Sequence, residues 1–174
     1  MKQNVCTTTH IPELSFVGRG KVRDIYRTED YMVLVATDRI SAFDCVLPNP
    51  IPWKGRVLTQ ISRFWFESLP KEIPNHYVST HLEHLPVTLS EESRQVLEGR
   101  TMICRVADPI PMECVVRGYL AGSAWKEYRK EGTVCGEPLP AGMQEYQRLE
   151  RPAFTPSSKA VSGHDEIISY ERMK

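Results

Sequence analysis

The spacing of apolar positions changes character several times along the chain. Residues 15–26 and 31–37 read as two strands, and the short polar stretch 27–30 between them predicts a hairpin. The second run, YMVLVA (31–36), is continuously apolar, the pattern of a strand buried on both faces. Residues 38–55, with the cluster Pro48, Pro50 and Pro52, predict a loop. Val57, Leu58, Ile61, Phe64, Trp65 and Leu69 then recur near the 3.6-residue period, which predicts an amphipathic helix over 56–68, stopped by Pro70.

A second helix is expected over 90–98. Ser90 suits its N-cap, Glu91 and Glu92 suit its positive start, and Gly99 suits its exit. Residues 101–107 and 113–117 read as strands joined by a link stiffened by Pro109 and Pro111. A third helix is expected over 123–130, opened by Gly122 and Ser123 and closed at Gly132. Residues 133–174 read as mostly irregular, with one short strand near 152–154. The order lacks steady β-α alternation and predicts an α+β fold.

Composition narrows the function class. The 174 residues suffice for one domain or two small lobes, and apolar (41%) and charged (25%) fractions are those of an ordinary soluble protein. Lysine plus arginine (22) equals aspartate plus glutamate (22), which argues against nucleic acid as partner and requires any anion recognition to be local. No apolar run approaches a membrane span, and residues 1–10 lack a signal-peptide core. Five scattered cysteines without a CxxC read as reduced thiols of a cytoplasmic protein.

Four constellations carry chemistry. GRGKVRDIY (18–26) has Gly18 and Gly20 within a predicted strand, and period two puts Lys21 and Arg23 on one face. Such a pair clamps a polyphosphate, or equally forms a solvated basic face beside a glycine bulge. ATDRISAFD (36–44) offers Asp38, Ser41 and Asp44 past the end of a buried strand, as cleft residues or as a capped turn. ECVVRGYLAGSAW (113–125) runs a strand bearing Arg117 into a helix start at Ser123, an anion site or a plain corner. The Pro- and Ser-rich stretch 151–166 reads as a loop and holds Thr155, Ser157, Ser158, Lys159, Asp165 and Glu166. One cation, several hydroxyls and two carboxylates suit a metal-bearing phosphate ligand, or simply a solvated surface loop. The pair His81 and His84 lacks a third ligand nearby, and Trp125 and Tyr128 read as packing residues.

The order of the motifs GKVRDIY, ATDRISAFD, KGRVLTQIS, ECVVRGYLAGSAWKEY and FTPSSKAVSGHDEIIS closely resembles the phosphoribosylaminoimidazole-succinocarboxamide synthase (SAICAR synthetase) family, over residues 18–169. The resemblance implies a small β-rich lobe over 1–108 and the first part of a larger α+β lobe over 109–174. It also implies an ATP-dependent ligase of purine biosynthesis that uses Mg²⁺. Carboxyaminoimidazole ribonucleotide and L-aspartate would become SAICAR, with ADP and phosphate released, through an acyl phosphate. ATP would meet Gly18, Gly20, Lys21, Arg23 and Lys159, with Arg105 and Met112 at the adenine. Arg117 and Ser123 would bind the ribonucleotide, Asp38, Ser41 and Asp44 would border the substrates, and Asp165 and Glu166 would face the reacting groups. Lys159 and Asp165 would be the catalytic pair. Family members continue past the position of Lys174, and the main metal ligands are expected beyond Lys174. Weak nucleotide binding and little synthetase activity are therefore expected of this chain alone. A non-catalytic phosphate-binding module and a kinase-like phosphotransferase are the alternatives.

Overall fold

The computed structural model describes residues 5–43 and 45–158. It divides into two units, residues 1–107 and residues 108–174.

The first unit is built on an antiparallel sheet of order β1-β2-β3-β7-β6, made by Ser15–Arg19, Arg23–Arg27, Tyr31–Ala36, Thr101–Arg105 and Tyr77–Ser79. Two-residue strands β4 (Ser41–Ala42) and β5 (Cys45–Val46) pair with each other within the 38–55 loop. Helix α1 is Lys54–Ser68 and α2 is Glu91–Leu97.

The run expected to be one strand over 15–26 is two strands. A β-bulge interrupts the ladder between Phe16 and Gly18, and the Gly20 amide bonds the Arg23 carbonyl at 2.8 Å to close a turn. Lys21 lies in that turn and Arg23 begins β2, so the period-two argument for a shared face does not apply.

Strand β3 is also not buried on both faces. Val33 and Val35 are wholly buried, whereas Met32 and Leu34 are half-buried on the other side. The first face joins Tyr26 and Ile103 in a core covered by Ile11, Leu14, Leu82, Leu85, Leu89 and Leu97. At roughly 1.5–3 kcal/mol for each large aliphatic side chain fully buried, this cluster is the main source of the unit's stability. Ser90 caps α2 as expected, accepting a bond from the Ser93 amide. Glu13 also accepts from the Ser90 amide (2.8 Å) and the Ser93 hydroxyl (2.7 Å). Bonds from both serines hold the Glu13 carboxyl down at about 2.

Helix α1 forms where the period placed it, but its apolar stripe faces outward. Val57, Ile61, Phe64 and Trp65 are each about half exposed or more (49–64%). Turned inward are Gly55 and Thr59, both buried, followed by half-buried Ser62 and Phe66. Gly55 makes the approach possible: a Cβ there would lie 2.1 Å from the Ala36 carbonyl oxygen. The helix start therefore rests directly on the backbone at the end of β3.

The second unit pairs β8 (Met112–Tyr119) antiparallel with β11 (Arg148–Ser158). Helix α3 (Gly122–Glu131) and the short hairpin of β9 (Thr133–Val134) and β10 (Glu137–Pro138) lie between them in sequence. The short strand expected near 152–154 is present but runs to eleven residues, taking in residues 155–158, which were expected as loop. Pro152 and Pro156 are tolerated because each strand of a two-stranded ladder has an unpaired edge. Leu120, Ala124, Val134 and Leu149 form the core, with Trp125 and Tyr128 stacked at 5.8 Å and packed against it. Gly132 ends α3 at φ +73°, the left-handed value glycine adopts freely.

Candidate active site

In the first unit, the glycine-bearing turn is fastened from behind by Arg39. Its guanidinium donates to the carbonyls of Gly20 (2.9 Å), Lys21 (3.1 Å) and Thr7, and to Asp24 Oδ1 (2.9 Å). Thr37 adds two bonds to the Val22 carbonyl, from its amide (3.0 Å) and its hydroxyl (2.9 Å). Asp24 is wholly buried and takes further bonds from Arg19 and from the amide and hydroxyl of Thr9. Burial alone would raise its carboxyl, but these donors outweigh burial and hold it below the usual aspartate range. The turn carrying Gly20 and Lys21 is thus a braced loop.

Arg23 lines a cleft of about 180 Å³ between the sheet and α1. Val22, Leu34, Ala36 and Met102 form its sheet wall, and Lys54, Leu58, Thr59, Ser62 and Phe66 its helix wall. Its lining combines two cations, Arg23 and Lys54, with mostly apolar side chains. Gly18 lies at the β1 bulge, where a Cβ would meet nothing within 4 Å. Arg105 ends β7, exposed, with its amide bonded to the His76 carbonyl. Met112 begins β8 in the other unit.

Asp38 does not border a cleft. It is wholly buried and accepts from the amides of Cys6 (2.8 Å) and Gly55 (2.9 Å) and from Arg100 Nη1 (3.2 Å). Burial pushes its carboxyl up, and those three donors more than reverse the push. Its carboxylate ties the N-terminal segment, the start of α1 and β7 together. Ser41 pairs with Val46 in the small β4–β5 hairpin. Asp44, Lys159, Asp165, Glu166 and Lys174 lie outside the described residues.

The second unit brings Arg117 and Ser123 together as the motif suggested. Arg117 projects from β8, donating from Nε to the Thr155 hydroxyl (3.0 Å) and from Nη2 to the Ser123 hydroxyl (3.1 Å). Thr155 passes the bond on to the Val115 carbonyl at 3.1 Å, so the guanidinium is oriented through a buried hydroxyl of the opposite strand. Helix α3 begins beside it at Gly122, with no side chain capping its first amides and no acidic residue in its first turn. Uncapped amides, a hydroxyl and an oriented guanidinium are the components of a phosphate site. They open on a pocket of about 320 Å³ that Glu113, Glu127 and Ser157 also line. Glu127 is occupied elsewhere, accepting from the Thr133 hydroxyl (3.1 Å) and the Gly136 amide (3.2 Å). Burial, reinforced by Glu127, pushes the Cys135 thiol up, so it sits in this pocket as a neutral group.

The family described as SAICAR synthetase matches residues 16–174. The chain belongs to the SAICAR synthetase family. Phosphoribosylaminoimidazole-succinocarboxamide synthase of Syntrophotalea carbinolica is 54% identical over 165 residues, covering 94% of this chain and 55% of the relative. The same enzyme of Thermodesulfovibrio yellowstonii is 51% identical over 169 residues, covering 97% and 58%. The chain therefore spans little more than half the length of these curated relatives. SAICAR synthase of Saccharomyces cerevisiae, solved in complex with SAICAR, is 43% identical with a TM-score of 0.84, covering 97% of this chain and 57% of that one. A type-2 SAICAR synthetase solved with ADP shares the fold at a TM-score of 0.66 and 24% identity.

The family resemblance implied Mg²⁺. Among the described residues no group of three or more histidines, cysteines, aspartates or glutamates is placed to hold a metal ion. Asp24 and Asp38 spend their oxygens on arginines and amides. Neither aspartate is therefore free to hold Mg²⁺. No helix among them is long and apolar enough to cross a membrane.

Two groups escaped sequence reasoning, one behind the glycine turn and one lining the cleft. Arg39 stands within ATDRISAFD between Asp38 and Asp44, which carry the more familiar signal. Lys54 opens KGRVLTQIS, and its signal is electrostatic, a cation in the first turn of a helix that has no acidic residue there.

Proposed function

We propose that this chain supplies the ATP-binding strand unit and the ribonucleotide-phosphate pocket of a cytoplasmic ATP-dependent carbon–nitrogen ligase. The reaction joins carboxyaminoimidazole ribonucleotide to L-aspartate. A carboxylate oxygen of the ribonucleotide attacks the γ-phosphorus of ATP and ADP leaves. The aspartate amine then attacks the acyl phosphate carbon, phosphate departs, the amine loses a proton, and the amide SAICAR remains.

The observation that carries this reading is the Arg117–Ser123–Thr155 corner, in a chain 43% identical to a synthase solved with SAICAR. An oriented arginine beside uncapped helix amides suits a phosphomonoester such as that of the ribonucleotide. In the first unit, the turn of Gly18, Gly20 and Lys21 with Arg23 suits the phosphates of ATP, braced by Arg39 and Asp24. Asp38 supports this framework from within. Arg105 and Met112 are assigned to the adenine, Ser41 and Asp44 to the substrate side, Lys159 to ATP, and Asp165 with Glu166 to the acceptor, all by motif. Mg²⁺ accompanies ATP on the same ground, with ligands expected outside the matched segment.

Isothermal titration of the chain with ATP and with SAICAR tests the reading. It predicts that both bind, ATP weakly, and that adding L-aspartate with the carboxylated ribonucleotide releases ADP slowly or not at all. Absence of binding for both ligands, with the chain folded, would overturn it.

A further inference from the structure

The cleft between the sheet and α1 carries a charge imbalance that the assignment of Arg23 leaves unexplained. Lys54 is the first residue of α1 and lines the same cleft as Arg23. Burial lowers the Lys54 amine below the usual lysine range, and the positive charge of Arg23 lowers it further, with Arg39 adding to the effect. The opposing charge that acts on it is Asp38, whose carboxylate is already committed to Arg100 and two amides. Neither Lys54 nor Arg23 has a carboxylate partner among the described residues. A cation in the first turn of a helix also opposes the helix dipole. Three separate costs thus fall on one amine: partial burial, a neighbouring guanidinium and the positive end of α1.

An anion seated between Lys54 and Arg23 relieves all three. The same cleft is lined by the apolar side chains of Leu34, Leu58, Phe66 and Met102. At about 180 Å³ it is below the roughly 300–1,000 Å³ of a site that encloses a whole drug-sized ligand, so it takes part of one. A cleft that offers two cations and apolar side chains together suits a piece of a nucleoside polyphosphate, a phosphate with an apolar group attached.

We propose that Lys54 is a nucleotide-binding residue, a second cationic arm that closes on the phosphate chain from α1 while Arg23 holds it from β2. The inference rests on the first unit being the ATP unit. It gives the KG pair at the head of α1 two distinct duties. Gly55 lets the helix start rest on β3, and Lys54 lines the cleft beside it.

The test is titration calorimetry of the chain with inorganic tripolyphosphate and with ATP, on wild type, Lys54→Met and Lys54→Arg. Without the charge-assisted hydrogen bond from the amine to phosphate, Lys54→Met should bind both ligands about tenfold or more weakly. Lys54→Arg should recover most of the affinity. Wild-type affinity for both ligands in a Lys54→Met protein that melts like wild type overturns the inference and leaves the ATP assignment standing. Failure of wild type to bind either ligand overturns both. If Lys54→Met does not fold, the wild-type protein still decides. Saturating ATP should protect Lys54 from acylation in a peptide-mapping experiment, and an unchanged acylation rate would refute the assignment.

Discussion

Replacing Asp38 by alanine separates a framework residue from a substrate ligand. The carboxylate accepts three bonds in a wholly buried position, from the Cys6 amide at 2.8 Å, the Gly55 amide at 2.9 Å and Arg100 Nη1 at 3.2 Å. In Asp38→Ala the Arg100 side chain, 5% exposed, keeps its bond to the Ala36 carbonyl but loses its counter-charge. Removing one partner of a buried ion pair costs about 3–5 kcal/mol. Each stranded amide adds about 1–3 kcal/mol, less what water recovers by entering the vacated space. The sum is about 4 kcal/mol or more, a large share of the roughly 5–15 kcal/mol typical of a whole domain. Asp38→Asn keeps one acceptor but turns an NH₂ group toward an N–H donor, and should fall between wild type and alanine. Urea unfolding followed by tryptophan fluorescence reads the loss, since Trp53 and Trp65 both lie in this unit. A loss below about 1 kcal/mol in Asp38→Ala, with weakened substrate binding, would refute the framework role and restore Asp38 to a cleft.

Gly55→Ala tests the helix–strand approach. An alanine Cβ would lie 2.1 Å from the Ala36 oxygen and 2.8 Å from Arg100 Nη1. Glycine to alanine in a helix normally gains up to about 1 kcal/mol, whereas overpacking here should cost about 2 kcal/mol or more. A melting temperature lower by about 8 °C or more is expected, and a rise would contradict the close packing. Acidification tests the buried carboxylates. Asp24 and Asp38 titrate below the usual aspartate value in the folded chain. Their stabilisation is therefore complete above about pH 3.9 and is lost as pH falls through the lowered folded values, with Glu13 following down to about 2. The urea midpoint should hold between about pH 7 and 5 and drop below about pH 4, and a midpoint that rose on acidification would reverse the sign.

Much of the scaffold was legible where a local signal had one physical meaning. Ser90 before Glu91 and Glu92, and Gly132 after Lys130 and Glu131, marked helix ends because few residues satisfy those caps. The Arg117–Ser123 pairing was legible because a strand, a short turn and a helix start leave little choice of direction. What escaped depended on tertiary context. Periodicity located α1 but could not say that Gly55, Thr59, Ser62 and Phe66 would face the sheet while Trp65 faced out. The full length of strand β11, beyond the short strand expected near 152–154, hid behind its prolines and serines because composition does not reveal that a two-stranded ladder leaves one edge of each strand unpaired. A lone aspartate past a strand end looks the same in sequence whether it meets a ligand or, like Asp38, the protein's own amides.

The central claim is that the second unit holds the ribonucleotide phosphate through Arg117 while the first holds ATP. Titrating Arg117→Ala with both ligands tests it most directly. SAICAR should bind at least about tenfold more weakly than to wild type, with ATP affinity unchanged. Unchanged SAICAR affinity, or an equal loss for both ligands, would contradict the claim.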